Sequence, residues 1–366
     1  MAKTNIVVDL QFGSCGKGLL AGWLAERSQP DTVVAAWAPN AGHTYIDTNG
    51  RKFVNIALPN GIISKRLKRL LIGPGSVINP ELLMSEMTHY FEFLTGVNIM
   101  IHENAAVVTE DHRTDEAQGM VGIGSTMKGV GAATIQKIQR QTDPAKQNTA
   151  REMLRGTPLE GFVVDRWEYA AAVDKAEVML VEGAQGFSLG INSGFYPYTT
   201  SRECTVAQII SDCGLPLSVL DKENCAVWGA ARTFPIRVAN RFKDGVQVGW
   251  SGPCYPDQDE IDWSDLGIEP ELTTVTRLPR RVFTFSYEQI KDAVRMNGAD
   301  KIFLNFGNYM QPSAFTDMID RINAESGATV ELIGLGPTYN DVFALYDSAS
   351  AVKMMCKGGG KYVEPK

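Results

Sequence analysis

The chain has 366 residues, of which 44% are hydrophobic and 21% charged, and a formal net charge of -7. These are values of a globular protein long enough to bury a large core, and no run approaches the roughly eighteen continuous apolar residues of a membrane span. The acidic balance argues against a broad nucleic-acid surface, which needs clustered Lys and Arg, but leaves room for a local site that takes a free nucleotide.

Met1 to Thr4 pass directly into Asn5-Ile6-Val7-Val8, with no basic segment, long apolar stretch or small-residue cleavage site, so a cytoplasmic protein is expected. The six cysteines, at 15, 204, 213, 225, 254 and 356, form no Cys-x-x-Cys pair and have no nearby His-x-His set. They read as reduced and mostly buried thiols rather than as zinc ligands or a disulfide framework.

The first unit reads as strand, glycine-rich turn and helix: Ile6 to Leu10, the glycines at 13, 16 and 18, then a helical stretch from Leu19 to Glu26. A second strand at Thr32 to Trp37 leads into Pro39-Asn40-Ala41-Gly42-His43-Thr44. Asp47-Thr48-Asn49-Gly50 then predicts a hairpin turn between 44–46 and 52–56. Residues 80–95 predict one helix, with Pro80 in its first turn and Gly96 at its end. Gly119 to Ala133 hold five glycines with Ser125, Thr126 and Lys128, which fits either a ligand loop or a flexible surface connection. The apolar strand at Val178 to Val181 ends in Glu182-Gly183-Ala184-Gln185-Gly186, with similar patterns at Lys301 to Asn305 and Val330 to Gly334. Polar and glycine residues at the carboxyl ends of strands are where open α/β sheets place ligands. With no internal repeat and no linker, the expectation is one α/β body over 1–366: a mostly parallel central sheet, helices on both faces and hairpin excursions.

Three segments carry candidate chemistry. Gly13-Ser14-Cys15-Gly16-Lys17-Gly18 lacks the spacing of a Walker loop; it either cradles phosphate with backbone N–H groups, a helix N-terminus and Lys17, or serves close strand–helix packing. His43 is either a hydrogen-bonded structural residue or, beside a Gly42 that lets ligand approach the backbone, a donor to a phosphoryl oxygen, in cationic form if charged there. Thr273 to Arg281 is a solvated loop or an anion clamp.

Together these segments resemble adenylosuccinate synthetase. The family's Gln-Trp-Gly-Asp-Glu-Gly-Lys-Gly corresponds to Gln11-Phe12-Gly13-Ser14-Cys15-Gly16-Lys17-Gly18, and its Asn-Ala-Gly-His-Thr is intact at 40–44. Ile123 to Thr126, Glu182 to Gly186, Tyr196 to Ser201 and Gly334 to Pro337 continue the match in register. The resemblance implies a ligase in which a nucleoside triphosphate phosphorylates the purine O6 and the amine of L-aspartate then displaces that phosphate, with Mg²⁺ as cofactor. It implies Ser14, Lys17 and His43 at the reacting centre, and Ser14 with the Gly42 carbonyl on the metal. The triphosphate would meet Gly13, Ser14, Cys15, Gly16, Lys17, Gly18, Leu19, Gly42, His43, Thr44, Arg280, Asn305, Gly307, Gly334 and Gly336. The monophosphate would meet Ser14, Asn40, Ala41, Thr126, Gln185 and Thr200, together with Arg140 reaching across a homodimer. Aspartate would meet Thr274, Val275, Thr276 and Arg280. Neither a nucleic-acid polymer nor a membrane is an expected partner.

Three departures refine the expectation. Ser14 stands where the family has an aspartate that takes the proton from purine N1, and a serine hydroxyl is a poor base near neutral pH. The lost carboxylate makes room near purine C2, where guanine carries an amino group. A phage-type branch of the family, acting on dGMP on the way to diaminopurine DNA in the host cytoplasm, is what this departure resembles. An enzyme using inosinate would instead need a relocated base such as Asp9 or a bound water, and a nucleotide-binding relative without catalysis is the other alternative that the missing carboxylate allows. Leu278 falls near the arginine with which the family meets the ribose, so the lost polar partner would tolerate a missing 2'-hydroxyl. Asn305-Phe306-Gly307 lacks the carboxylate with which the family reads the guanine of GTP, so ATP or dATP is the expected donor.

Overall fold

A computed structural model describes residues 2–119, 122–123, 126–273 and 277–345. Its centre is a ten-stranded sheet in the spatial order Val342–Ala344, Thr329–Gly334, Lys301–Asn305, Cys225–Arg232, Lys3–Asp9, Val178–Glu182, Thr32–Ala35, Arg69–Ile72, Asn98–His102 and Val163–Val164. Every pairing is parallel except that of the edge strand Val342–Ala344. The first strand alternates between two cores: Ile6 and Val8 join a cluster with Ile209, Ile290 and Phe315, whereas Val7 joins Leu20, Leu24, Tyr45 and Phe53. A strand buried on both faces reads as a continuous apolar run, as Ile6-Val7-Val8 does.

The parallel register brings the carboxyl ends of the central strands to one edge. Val7 lies opposite Glu182, Asp9 opposite Ala230, and Arg232 opposite Asn305. The excursions include the predicted hairpin, His43–Ile46 with Lys52–Asn55, and a second hairpin of Arg241–Lys243 with Val246–Gly249. Of the described cysteines, Cys15, Cys204 and Cys213 are buried, and all five are free thiols. Among the described residues no helix is long and apolar enough to cross a membrane.

The single helix expected over 80–95 is instead two, Pro80–His89 and Phe91–Leu94, divided at Tyr90. Its ring stacks on Phe53 at 5.6 Å and its hydroxyl accepts the Val54 N–H at 3.0 Å. Docking on the hairpin overrides the local helical pattern there.

Candidate functional site

The turn between the first strand and the helix Lys17–Ser28 is organised from beneath by Asp9. Its Oδ1 accepts the N–H groups of Gln11 at 2.9 Å and Gly13 at 3.1 Å, and its Oδ2 accepts the Cys15 N–H at 3.2 Å and Lys17 Nζ at 3.1 Å. The helix has no side-chain cap, and its first intrahelical bond runs from Leu20 N to Gly16 O. The N–H groups of Lys17, Gly18 and Leu19 therefore have no intrahelical acceptor, which is the arrangement that takes a phosphate.

The glycines serve packing as well. Gly16 has φ +91°, and a Cβ there would lie 2.2 Å from Asn305 Nδ2. A Cβ on Gly18 would meet the Thr44 backbone at 2.7 Å, so no larger residue would let the helix approach the 40–44 segment this closely. Close strand–helix packing, one of the two readings left open by the sequence, is thus observed, and the free N–H groups are compatible with the other.

That contact sets the 40–44 segment beside the glycine-rich loop. Asn40 Oδ1 accepts Gln185 Nε2 at 2.8 Å, while the Gln185 carbonyl accepts Lys17 Nζ at 2.6 Å. One polar chain, Asp9 to Lys17 to Gln185 to Asn40, ties three loops that are distant in sequence. Ala41, Gly42 and Thr44 are exposed along its rim. His43 is buried with its ring 4.2 Å from that of Trp37, and among the described residues its Nδ1 has no hydrogen-bond partner. Burial, with Lys17's charge adding to it, pulls the His43 pKa down to about 3. Burial therefore disfavours the cationic form of His43, and the donor it offers is a neutral imidazole N–H.

Ser14 is exposed, with φ +58°, and its carbonyl accepts Arg232 Nη1 at 3.2 Å. Arg232 is fully buried at the end of its strand, pairs with Glu271, and lies 3.9 Å over the Phe306 ring. Its backbone exchanges hydrogen bonds with the Gln11 side chain, 2.9 Å from Arg232 N and 3.2 Å to Arg232 O. Asp9 and Arg232 are site-building residues to which sequence reasoning gave no such role. The signal available was a charged residue closing an apolar strand, as in Val7-Val8-Asp9 and Gly229-Ala230-Ala231-Arg232.

Asn305 and Gly307 are buried rather than presented to a base. Asn305 lies between Gly16 and Gly334, where added Cβ atoms would come within 2.2 and 2.1 Å of its amide. A Cβ on Gly307 would meet the Phe315 ring at 2.6 Å, so an acidic side chain there would require repacking. Gly336 abuts the Asp341 carboxylate, which accepts Thr338 N at 2.9 Å. Arg280 is held by its backbone, to the Glu271 carbonyl at 2.8 Å and from Trp263 Nε1 at 2.7 Å; burial lowers its pKa against the opposing pull of Glu271. Leu278 is partly exposed.

Thr126 and Thr200 belong to neighbouring loops. Ile123 bridges to Trp250, whose ring lies 4.9 Å from that of Tyr198, and Thr200 N donates to Leu189 O at 2.8 Å. Arg140 is exposed, and its Nε donates to the Ile138 carbonyl at 3.3 Å. Thr274, Val275 and Thr276, expected at aspartate, and Gly124 and Ser125 of the matching segment lie outside the described residues.

Asp9 cannot be a relocated base for purine N1 in this arrangement. Its side chain is 0% exposed and each oxygen already accepts two donors. A divalent cation fits in one specific way. No cluster of three or more His, Cys, Asp or Glu able to hold a metal occurs among the described residues, so the ion would draw its charge from phosphates and take neutral oxygens from the exposed Ser14 and Gly42. Mg²⁺ is commonly held so, with one or two protein groups beside substrate phosphates.

The family that matches is adenylosuccinate synthetase, over residues 6–156 and 144–312. The N6-succino-2-amino-2'-deoxyadenylate synthase of Salmonella phage PMBT28 is 52% identical over 359 residues, covering 93% of this chain and 97% of that one. The enzyme of the same name from Acinetobacter phage SH-Ab 15497 is 47% identical, covering 92% of each chain. Among solved structures, the succinoaminodeoxyadenylate synthetase of cyanophage S-2L, bound to dGMP and to dATP as an energy donor, superposes with a TM-score of 0.89 at 42% identity and covers 98% of this chain and 99% of its own.

Proposed function

From membership of the adenylosuccinate synthetase family, to which this chain belongs, we propose that it joins L-aspartate to C6 of dGMP at the expense of ATP or dATP. The reaction is a C–N ligation that passes through a 6-phosphoryl purine and yields the N6-succinyl form of 2-amino-deoxyadenylate. The observation that carries the dGMP reading is the neutral, exposed Ser14 in the phosphate loop. With no carboxylate at that position, the guanine 2-amino group meets neither crowding nor a displaced metal shell.

In this reading Lys17 and the free N–H groups at the helix start hold the triphosphate, and His43 donates to the oxygen on which charge develops. A bound Mg²⁺, held by Ser14, Gly42 and phosphate oxygens, supplies charge neutralisation. Asn40, Ala41, Thr126, Gln185 and Thr200 orient the monophosphate, and Arg280, with Thr274 to Thr276, takes aspartate. Asn305, Gly307, Gly334 and Gly336 shape the donor-base end of the crevice. Packing at Gly307 leaves that stretch without a carboxylate for the guanine N1–H and 2-amino donors. The host cytoplasm, with its mononucleotide pools, is the setting this chemistry requires.

The test offers IMP, GMP and dGMP in parallel with Mg²⁺, aspartate and either ATP, dATP or GTP. The expected result is fastest succinylation of dGMP, with either adenine nucleotide a better donor than GTP at equal concentration. Preference for IMP, or for GTP, would overturn the corresponding half of the reading.

The same reading makes the active species a homodimer with Arg140 completing the partner's monophosphate site. Its support is the exposure of Arg140 beside Ile135 and Ile138, which are 58% and 65% exposed on the helix Val130–Ile138. Mixing Arg140→Ala subunits with subunits inactivated at Lys17 should restore part of the activity through hybrid sites. No recovery despite demonstrated subunit exchange would rule out sharing.

A further inference from the structure

The loop of this chain has Ser14 and Cys15 where the family pattern has an acidic pair, so its negative charge is placed differently. Asp9 is the first acidic residue in the sequence, and the next is Glu26. It lies under the loop with its carboxylate enclosed, where it cannot touch a substrate, and the chemistry proposed above gives it no task.

Its position relative to Lys17 supplies one. A lysine ammonium has three donors on a flexible stem. Here one goes to Asp9 Oδ2 at 3.1 Å and one to the Gln185 carbonyl at 2.6 Å. Lys17 is only 6% exposed, so these two bonds fix the ammonium and leave a single donor. The other three bonds to Asp9 come from Gln11, Gly13 and Cys15, so the same carboxylate sets the loop's shape and the lysine's direction. A charge aimed before the nucleotide arrives need not be reoriented as the phosphoryl group moves, which is how preorganised groups lower a barrier.

We propose that Asp9 is a positioning residue for phosphoryl transfer, acting through Lys17: Asp9 and the Gln185 carbonyl occupy two of the ammonium donors and direct the third to the transferring phosphoryl. The proposal rests on the ligase reading given above. It assigns Asp9 no proton transfer and no substrate contact.

The experiment is a double-mutant cycle of Asp9→Asn and Lys17→Arg, with kcat and KM for dATP measured at saturating dGMP and aspartate. Asp9→Asn is expected to lower kcat by about tenfold or more while KM for dATP changes by less than about threefold, and the double variant should fall within about threefold of Lys17→Arg alone. Effects that multiply, or a kcat unchanged in Asp9→Asn, would overturn it in favour of a purely structural role. A second readout needs no turnover: acetylation of Lys17, located by mass spectrometry, should be several-fold faster in Asp9→Asn because the ammonium is no longer pinned. Equal acetylation rates would count against the proposal even if the wild-type protein succinylated no nucleotide, an outcome that fails the ligase reading alone. If Asp9→Asn does not fold, Asp9→Ser, which lets water meet the same donors, is read in the same way. If neither folds, the role is structural and the proposal is wrong.

Discussion

Lys17→Ala is expected to lower kcat by about a hundred- to thousandfold, the usual loss when one preorganised donor to a developing charge is removed. The physical basis is the lysine's place in the polar chain from Asp9 to Asn40, 6% exposed and held by two bonds before any ligand arrives. Monophosphate affinity should change much less, because the proposed contact is to the phosphoryl group in flight. His43→Ala should show the same split. Its ring is neutral, with a pKa about 3, so ionisation of His43 in the free enzyme should leave no limb in kcat/KM between pH 6 and 8. Steady-state kinetics separate the alternatives: if both variants raise KM and spare kcat, the two side chains bind ground-state substrate and the roles assigned here are wrong. A melting curve guards against one artefact, since removing Lys17 takes from the buried Asp9 its cationic partner.

Ser14→Asp is expected to lower the ratio of kcat/KM for dGMP over IMP by about ten- to two-hundredfold, the range of one adverse contact in a snug site. The backbone tolerates the change. Ser14 has φ +58°, a left-handed conformation that Asp adopts more readily than most residues, and its side chain is exposed rather than packed. The added carboxylate would crowd the guanine 2-amino group and alter the charge around the metal, while restoring the residue with which the family handles inosinate. General damage depresses both substrates together, so the ratio isolates the contact. A ratio that stayed level or rose would remove the physical support for dGMP and favour inosinate.

The elements were legible because each has a strong local signature. The run Ile6-Val7-Val8 followed by glycines, the Asn49-Gly50 turn and Glu182 to Gly186 after an apolar strand all indicate where chain direction changes, and the observed strands, hairpin and helix follow them. Tyr90 divides a predicted helix because its partners, Phe53 and Val54, belong to a hairpin that local periodicity cannot see. The same limit applies to Asn305 and Gly307. Aligned with a base-reading segment they suggest ligand contacts, but packing against Gly16, Gly334 and Phe315 becomes visible only when the sheet order is known. The saturation of Asp9 was equally hidden: three donors come from the turn it begins, and the fourth, Lys17, is itself held from Gln185.

The position of the first strand has a consequence for synthesis of the protein. Lys3–Asp9 leaves the ribosome well before its two neighbours in the sheet, Val178–Glu182 and Cys225–Arg232. Closing such long loops costs chain entropy before any contact repays it. The apolar strand and the turn that follows it therefore wait, unpaired in the sheet, until Val178–Glu182 has been made, and the second edge of the strand stays open until Cys225–Arg232 follows. Active protein cannot accumulate from N-terminal fragments, and a nascent chain stalled before Arg232 would expose an unpaired strand edge to chaperones and to other chains.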